Sequence, residues 1–209
     1  MALVDRNFCV MFCHIGNKGK ISDGTVFRDS VLFEKLQRNS LQLPQPKPLS
    51  NGDVNVPYVF VADNGFPLHR NIMKPFPGEH SEGSTRRNFN RKLSSVRIVV
   101  ENTFGVMSAR FRVLRKPITL QPNKASKVVM ACSLLHNFLR KSCNSRSIYT
   151  PSGYIDTVVN GEIINSVTWR QDIGEGEGAF RSMRNIARCS ALTAIEVRNK
   201  FAEHFRDMN

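Results

Sequence analysis

Tyr58-Val59-Phe60-Val61-Ala62 is an unbroken apolar run of aromatic and β-branched residues that stops at Asp63-Asn64-Gly65. Such a run suits a strand covered on both faces, as in a parallel or mixed sheet. The Asn-Gly pair after it signals a turn. A carboxylate therefore stands at the end of a buried strand, where ligands and catalytic groups gather in open α/β sheets.

The flanking segments set the fold class. Ala2 to Val4 and Phe8 to Ile15 predict two strands around an Asp5-Arg6-Asn7 turn, hence a hairpin. Ser22 or Asp23 caps a helix in which Val26, Phe27, Val31, Leu32 and Leu36 recur at helical spacing. Pro44, Pro46, Pro48 and Pro57 then exclude helix and central strand. Pro67 to Phe76 predicts a short helix, and Gly78 to Asn88 a polar loop. The longest helix is expected from Phe89 to Phe111, with Phe89, Leu93, Val96, Val100, Phe104, Met107 and Phe111 at steps of three or four. Asn123 caps a further helix, to about Lys141, with Val128, Val129, Cys132, Leu135 and Phe138 on one face. Residues 141–190 are loop-rich, with a Gly174–Gly178 linker. A last helix runs from about Ala191 to Phe205. Strands alternating with helices predict an α/β domain.

Lys and Arg outnumber Asp and Glu by 30 to 17, giving +13 over 209 residues. Such a field favours polyanions, with nucleic acid ahead of an anionic membrane surface. The five cysteines are odd in number and lack CxxC spacing, which excludes a disulfide framework and fits a reducing compartment. Cys9, Cys13 and His14 lack the second pair a zinc site needs, and the two cysteines are expected to be buried in a strand. No apolar run reaches the roughly 18 residues of a membrane span. The chain is expected to be soluble and intracellular.

Glu101 is the one acid between Glu82 and Asp156, mid-helix among basic residues. Alone it reads as a solvated helix carboxylate. Together, Asp5, Asp63 and Glu101 could hold two divalent ions, which take hard oxygen ligands and leave room for water and a phosphate. Spacing alone leaves both readings open.

The residues around these acids carry a resemblance. It runs through Ala2-Leu-Val-Asp5, Gly19-Lys-Ile-Ser-Asp-Gly-Thr-Val-Phe-Arg-Asp-Ser30, Val61-Ala-Asp-Asn-Gly-Phe-Pro-Leu68 and Met73-Lys-Pro-Phe-Pro-Gly78. It continues through Phe89-Asn-Arg-Lys-Leu-Ser-Ser-Val-Arg97, Glu101-Asn-Thr-Phe-Gly105, Arg110-Phe-Arg-Val-Leu114 and Leu135-His-Asn-Phe-Leu139. Val197–Phe205 is similar to the terminal helix of the same group. In this order the segments resemble the DDE transposase domain of the PIF/Harbinger superfamily and the Harbinger transposase-derived nucleases.

The resemblance implies a ribonuclease-H-like mixed sheet flanked by helices, with the catalytic domain over residues 1–140. It also implies a triad, Asp5, Asp63 and Glu101, that binds Mg2+ or Mn2+ and cleaves DNA phosphodiester bonds. Gaps of 57 and 37 residues separate the three acids. Asp23 is the rival for a metal role and is read as a cap and loop organiser. The expected class is a DDE-type nuclease, a hydrolase of phosphodiester bonds, with a nuclear location and the cytoplasm as alternative. Family members usually carry a helical DNA-recognising region ahead of this domain. With four residues before Asp5, the first strand is expected to be truncated and site recognition to fall to a separate protein.

Nine Lys or Arg stand against one acid between Arg86 and Lys116, a local net of +8. Such a patch binds a DNA backbone without reading sequence. Arg86, Arg87, Arg91, Lys92, Arg97 and Arg112 are the candidate contacts. His136 is read as a packing histidine, and Trp169 has no partner that the sequence names. The alternatives are a catalytically inactive, transposase-derived DNA-binding or protein-interaction module, and a basic protein whose acids are only structural.

Overall fold

A computed structural model describes residues 1–17, 21–49, 54–159, 162–165, 169–173 and 191–206. In chain order they form β1 (Ala2–Val4), β2 (Val10–Cys13), α1 (Asp23–Arg28), α2 (Val31–Gln37), β3 (Lys47–Pro48), β4 (Asn55–Val56), β5 (Phe60–Val61) and β6 (Ile72–Met73). There follow α3 (Thr85–Arg110), a 3-10 turn (Arg112–Leu114), α4 (Pro122–Lys141), α5 (Cys143–Tyr149), β7 (Thr157–Val159), β8 (Glu162–Asn165), α6 (Trp169–Asp172) and α7 (Leu192–Arg206). This is a mixed α/β chain with four two-stranded sheets among the described residues. The Gly174–Gly178 linker lies outside them.

Two compact units share the chain. One comprises Met1–Lys20 and Ile98–Ser182, the other Ile21–Arg97 and Met183–Asn209.

In the first unit, β1 and β2 pair antiparallel, as the Asp5-Arg6-Asn7 turn predicts, with a register shift between Leu3 and Val4. A bulge of this kind bends the strand just before Asp5. The second strand is shorter than expected, Val10–Cys13 instead of Phe8 to Ile15. Phe8 takes a left-handed backbone, φ 63°, and cannot join the ladder. Met107, Leu114 and Cys132 form a core with Val10, Phe104 and Phe111 packed on it. Val106, Ala109, Tyr149 and Tyr154 form another, which takes in Trp169.

Two expectations for α4 need correction. Pro122 and not Asn123 opens the helix, after Gln121, because proline's fixed φ suits the first helical position. Of the apolar face predicted, Val128, Val129 and Cys132 pack inward, but its later positions do not. Leu135 and Phe138 are exposed, with Phe138 at 67%, while Cys132, Ser133, His136 and Arg140 are buried. Val128, Val129 and Cys132 join the apolar core at the start of this helix, and hydrogen bonds from His136, Asn137 and Arg140 orient its later turns.

In the second unit the expected single helix is two. Asp29 ends α1, and the Ser30 hydroxyl caps α2 by accepting the Phe33 N–H at 3.2 Å. The proline-rich stretch holds a minimal antiparallel pair, β3 with β4. The apolar run forms only the two-residue β5, parallel to β6. The helix predicted over Pro67 to Phe76 is absent. Ile72 and Met73 instead pair with Phe60 and Val61, and both are almost fully buried. The long helix α3 starts at Thr85, four residues early, because Ser84 accepts the Arg87 N–H at 3.3 Å and a polar first turn suffices. Val96, expected inside, is 54% exposed. Leu68, Met73, Phe76, Phe89, Leu93, Ala194, Val197 and Ala202 form this unit's core. The C-terminal helix thus packs on the beginning of α3.

Candidate active site

Each aspartate of the expected triad sits at a strand end and organises its own turn. Asp5 follows β1, and its Oδ1 accepts the Asn7 and Cys9 backbone N–H groups at 2.8 and 2.9 Å. Asp63 stands two residues beyond β5, and its Oδ1 accepts the Gly65 N–H at 2.8 Å. Aspartate commonly closes turns in this way. Here it also fixes the orientation of each carboxylate while committing only one oxygen. Glu101 is exposed on α3. Asp5 and Glu101 belong to the first unit and Asp63 to the second.

The structure brings Asp63 together with Asp23. A Cβ placed on Gly65 would lie 3.0 Å from Asp63 Oδ1 and 3.4 Å from Asp23 Oδ2. Glycine is what lets both carboxylates approach this turn. Burial, and then the negative charge of Asp63, pushes the Asp23 carboxyl above the ordinary carboxylate range. The sequence offers Ser22 or Asp23 as the cap and Asp23 as the rival for a metal role. Ser22 is the cap residue and Asp23 opens α1, so its carboxylate is available to the cluster. The chemistry suits a divalent cation, since paired oxygen donors of like charge are what Mg2+ or Mn2+ neutralises. Among the described residues no group of three or more His, Cys, Asp and Glu has metal-holding geometry.

The turn that carries Asp5 is clamped from α4. His136 Nε2 lies 2.6 Å from the Phe8 carbonyl, and Nδ1 lies 2.8 Å from the Tyr149 hydroxyl. A carbonyl only accepts, so Nε2 carries the proton and Nδ1 accepts from the phenol. Burial raises the Tyr149 pKa, which keeps that donor protonated. The Arg140 guanidinium donates to the Asn7 carbonyl at 2.9 Å and covers the Phe8 ring. Asn137 exchanges two 2.8 Å bonds with the Val10 backbone. These contacts hold Phe8 in its left-handed conformation, which costs a residue other than glycine about 1–2 kcal/mol. The packing role expected for His136 is observed. That its neighbours grip the Asp5 turn left no mark in the apolar periodicity.

A second polar centre fixes α3 beyond Glu101. Asn102 is 1% exposed and its Oδ1 accepts the Trp169 indole N–H at 3.0 Å and the Asp156 N–H at 3.2 Å. Trp169 therefore has a partner, and its ring lies on Gly105, where a Cβ would stand 2.6 Å from the indole. Alanine is the better helix former by about 1 kcal/mol. Gly105→Ala should nevertheless destabilise the chain by roughly 2 kcal/mol, because the ring must move. Urea unfolding followed by the fluorescence of the single tryptophan tests this. A variant more stable than the parent would contradict the close approach.

The basic candidates divide. Arg86, Arg87, Arg91 and Arg112 are exposed. Arg87 pairs with Glu82 at 3.3 Å, and Arg86 and Lys92 lie over the rings of Phe76 and Phe205. Two other arginines of the patch are structural. Arg110 donates to the Tyr149 carbonyl, and Arg115 caps the end of α3 through the Ser108 and Ala109 carbonyls. Cys9, Cys13, Cys132 and Cys143 are free thiols.

The profile of one family, described as DDE superfamily endonuclease, matches residues 1–137. Those residues include Asp5, Asp23, Asp63 and Glu101. No curated protein and no solved structure matches the chain. Among the described residues no helix is long and apolar enough to cross a membrane.

Proposed function

Because the chain belongs to the DDE superfamily endonucleases, we propose that it cleaves DNA phosphodiester bonds with Asp5, Asp63 and Glu101 as metal-binding catalytic carboxylates. The family match over residues 1–137 supports this reading. On this reading the chain is a PIF/Harbinger-type nuclease with a ribonuclease-H-like catalytic domain over residues 1–140, a reading that the ordered motifs of the sequence support. Two Mg2+ or Mn2+ ions would be held by the triad, with Asp23 beside Asp63. When bound, such ions supply Lewis acidity toward the scissile phosphate.

The chain's own residues do the positioning. Asp63 and Asp5 each hold one oxygen against the backbone and present the other in a fixed direction, which lowers the reorganisation that binding requires. Glu101 adds a third carboxylate from α3. Arg86, Arg87, Arg91, Lys92, Arg97 and Arg112 attract the phosphate backbone, in a manner that weakens steeply with salt. The DNA partner, a nuclear location and a separate protein for site recognition follow from the same reading.

Incubation of supercoiled plasmid with the full chain tests it. Nicked product is expected with Mg2+ or Mn2+ and none in chelator. The second reading, an inactive DNA-binding or interaction module, is favoured by the basic stretch of α3. DNA binding that persists in chelator, with no turnover under either metal, would establish that reading instead.

A further inference from the structure

Arg86 on α3 and Arg198 on α7 converge on one aromatic ring. The Arg86 guanidinium carbon lies 5.3 Å from the Phe76 ring centroid and that of Arg198 lies 4.1 Å from it. Phe76 is buried and tied to α3 by two bonds with the Asn90 side chain, at 2.8 and 3.0 Å. The ring is thus a fixed platform. His80 stands edge-on to it, 6.2 Å between centroids.

Two polar atoms in this cluster have no partner. Arg198 Nε and His80 Nε2 are both buried without a hydrogen bond. A buried unpaired donor costs about 1–3 kcal/mol and more when charged. Burial, and then the positive charge of Arg86, lowers the Arg198 pKa, with no carboxylate among the causes. Two cations and an unsatisfied donor around one ring are what an anion would relieve. The cluster also stands near the positive end of the α3 dipole. Guanidinium groups suit a phosphate because they offer paired donors in one plane.

We infer that Arg86, Arg198 and His80 around Phe76 form a binding site for a backbone phosphate of DNA. The site uses none of the triad carboxylates and rests on the reading that DNA is the substrate. It gives the C-terminal helix a function: α7 supplies a phosphate ligand besides its apolar packing against Phe76, Phe89 and Leu93. It also singles out Arg86 from the exposed arginines of α3.

The test is fluorescence polarisation of a labelled duplex of about two helical turns in chelator, over a salt series. Arg198→Gln and Arg86→Gln should each weaken binding roughly tenfold, the loss of one charged hydrogen-bonding contact. Each should also reduce the slope of log affinity against log salt by about one. The double variant should lose little more slope than either single one, since one phosphate is shared. Arg86 is exposed in the first turn of its helix, so its variant keeps the test open should Arg198→Gln unfold. Unchanged affinity in both variants overturns the site. So does weaker binding at an unchanged salt slope, which would mark a packing defect. A parent chain that fails to bind duplex at all would instead overturn the DNA reading itself.

Discussion

Asp63→Ala is expected to cut metal-dependent nicking by about a thousandfold or more, the several kcal/mol that a divalent cation contributes at a phosphate. The same variant should remain folded. Asp63 accepts one local bond, from the Gly65 N–H, and losing it costs about 1 kcal/mol. Removing its charge also relieves Asp23, which burial and then Asp63 push toward its protonated form. The two effects oppose each other, so the melting temperature should change little while activity collapses. Measured side by side, plasmid nicking and thermal unfolding separate the two. Equal activity in parent and variant would remove Asp63 from the chemistry.

His136→Ala should produce the largest stability change, a loss of about 3 kcal/mol. His136 is fully buried, with both ring nitrogens bonded. Its removal orphans the Phe8 carbonyl and the Tyr149 hydroxyl and leaves a cavity beside them. In a chain of this size that loss lowers the melting temperature by on the order of 10 °C. The Asp5 turn loses its clamp as well, so the nicking rate of the folded fraction should fall with DNA affinity unchanged. His136→Gln, which can still donate to Phe8, should recover part of both. An alanine variant as stable as the parent would show that the clamp holds nothing.

The same histidine sets a pH dependence. Burial lowers the His136 pKa, partly opposed by its bond to the Phe8 carbonyl. The unfolded chain therefore binds its proton more readily than the folded one. The stability contributed by the neutral ring is complete above the unfolded value of about 6.5 and is lost as pH falls from there through the lower folded value. His69 acts in the same direction, its pKa lowered by burial and by Arg70. Thermal melts between pH 8 and 5 should therefore decline toward acid, and His136→Gln should flatten part of the decline. Asp23, raised by burial and then by Asp63, acts in the opposite direction, so identical pH profiles for the parent and His136→Gln would contradict the neutral buried imidazole.

What the sequence made legible were features set locally. The β1–β2 hairpin follows from Asp-Arg-Asn between two apolar runs, and most of α3 from its stripe of Phe, Leu and Met. The ends of the strands were less legible. Tyr58 to Ala62 looks like a full strand, yet only Phe60 and Val61 pair, because a ladder depends on a partner and Ile72–Met73 is two residues long. The helix expected over Pro67 to Phe76 fails for the same reason. The later turns of α4 escape periodicity, which counts apolar residues. The buried positions include His136 and Arg140, whose partners Phe8, Asn7, Tyr149 and Thr150 lie on other elements. Asp23 is legible as the rival for a metal role, but its local context, a Ser-Asp pair before a helix, reads as a cap. Its approach to Asp63 depends on Gly65, 42 residues further along.

The central claim is that Asp5, Asp63 and Glu101 act together in cleaving DNA. The most direct test is the nicking rate of Asp5→Asn, Asp63→Asn and Glu101→Gln beside the double variant Asp5→Asn/Glu101→Gln, all in Mn2+. Groups that act as a unit are non-additive, so each single variant should be nearly as inactive as the double. Activity near the parent level in Asp5→Asn or Glu101→Gln would contradict the claim and leave Asp63 with its neighbour Asp23 as the carboxylates that matter.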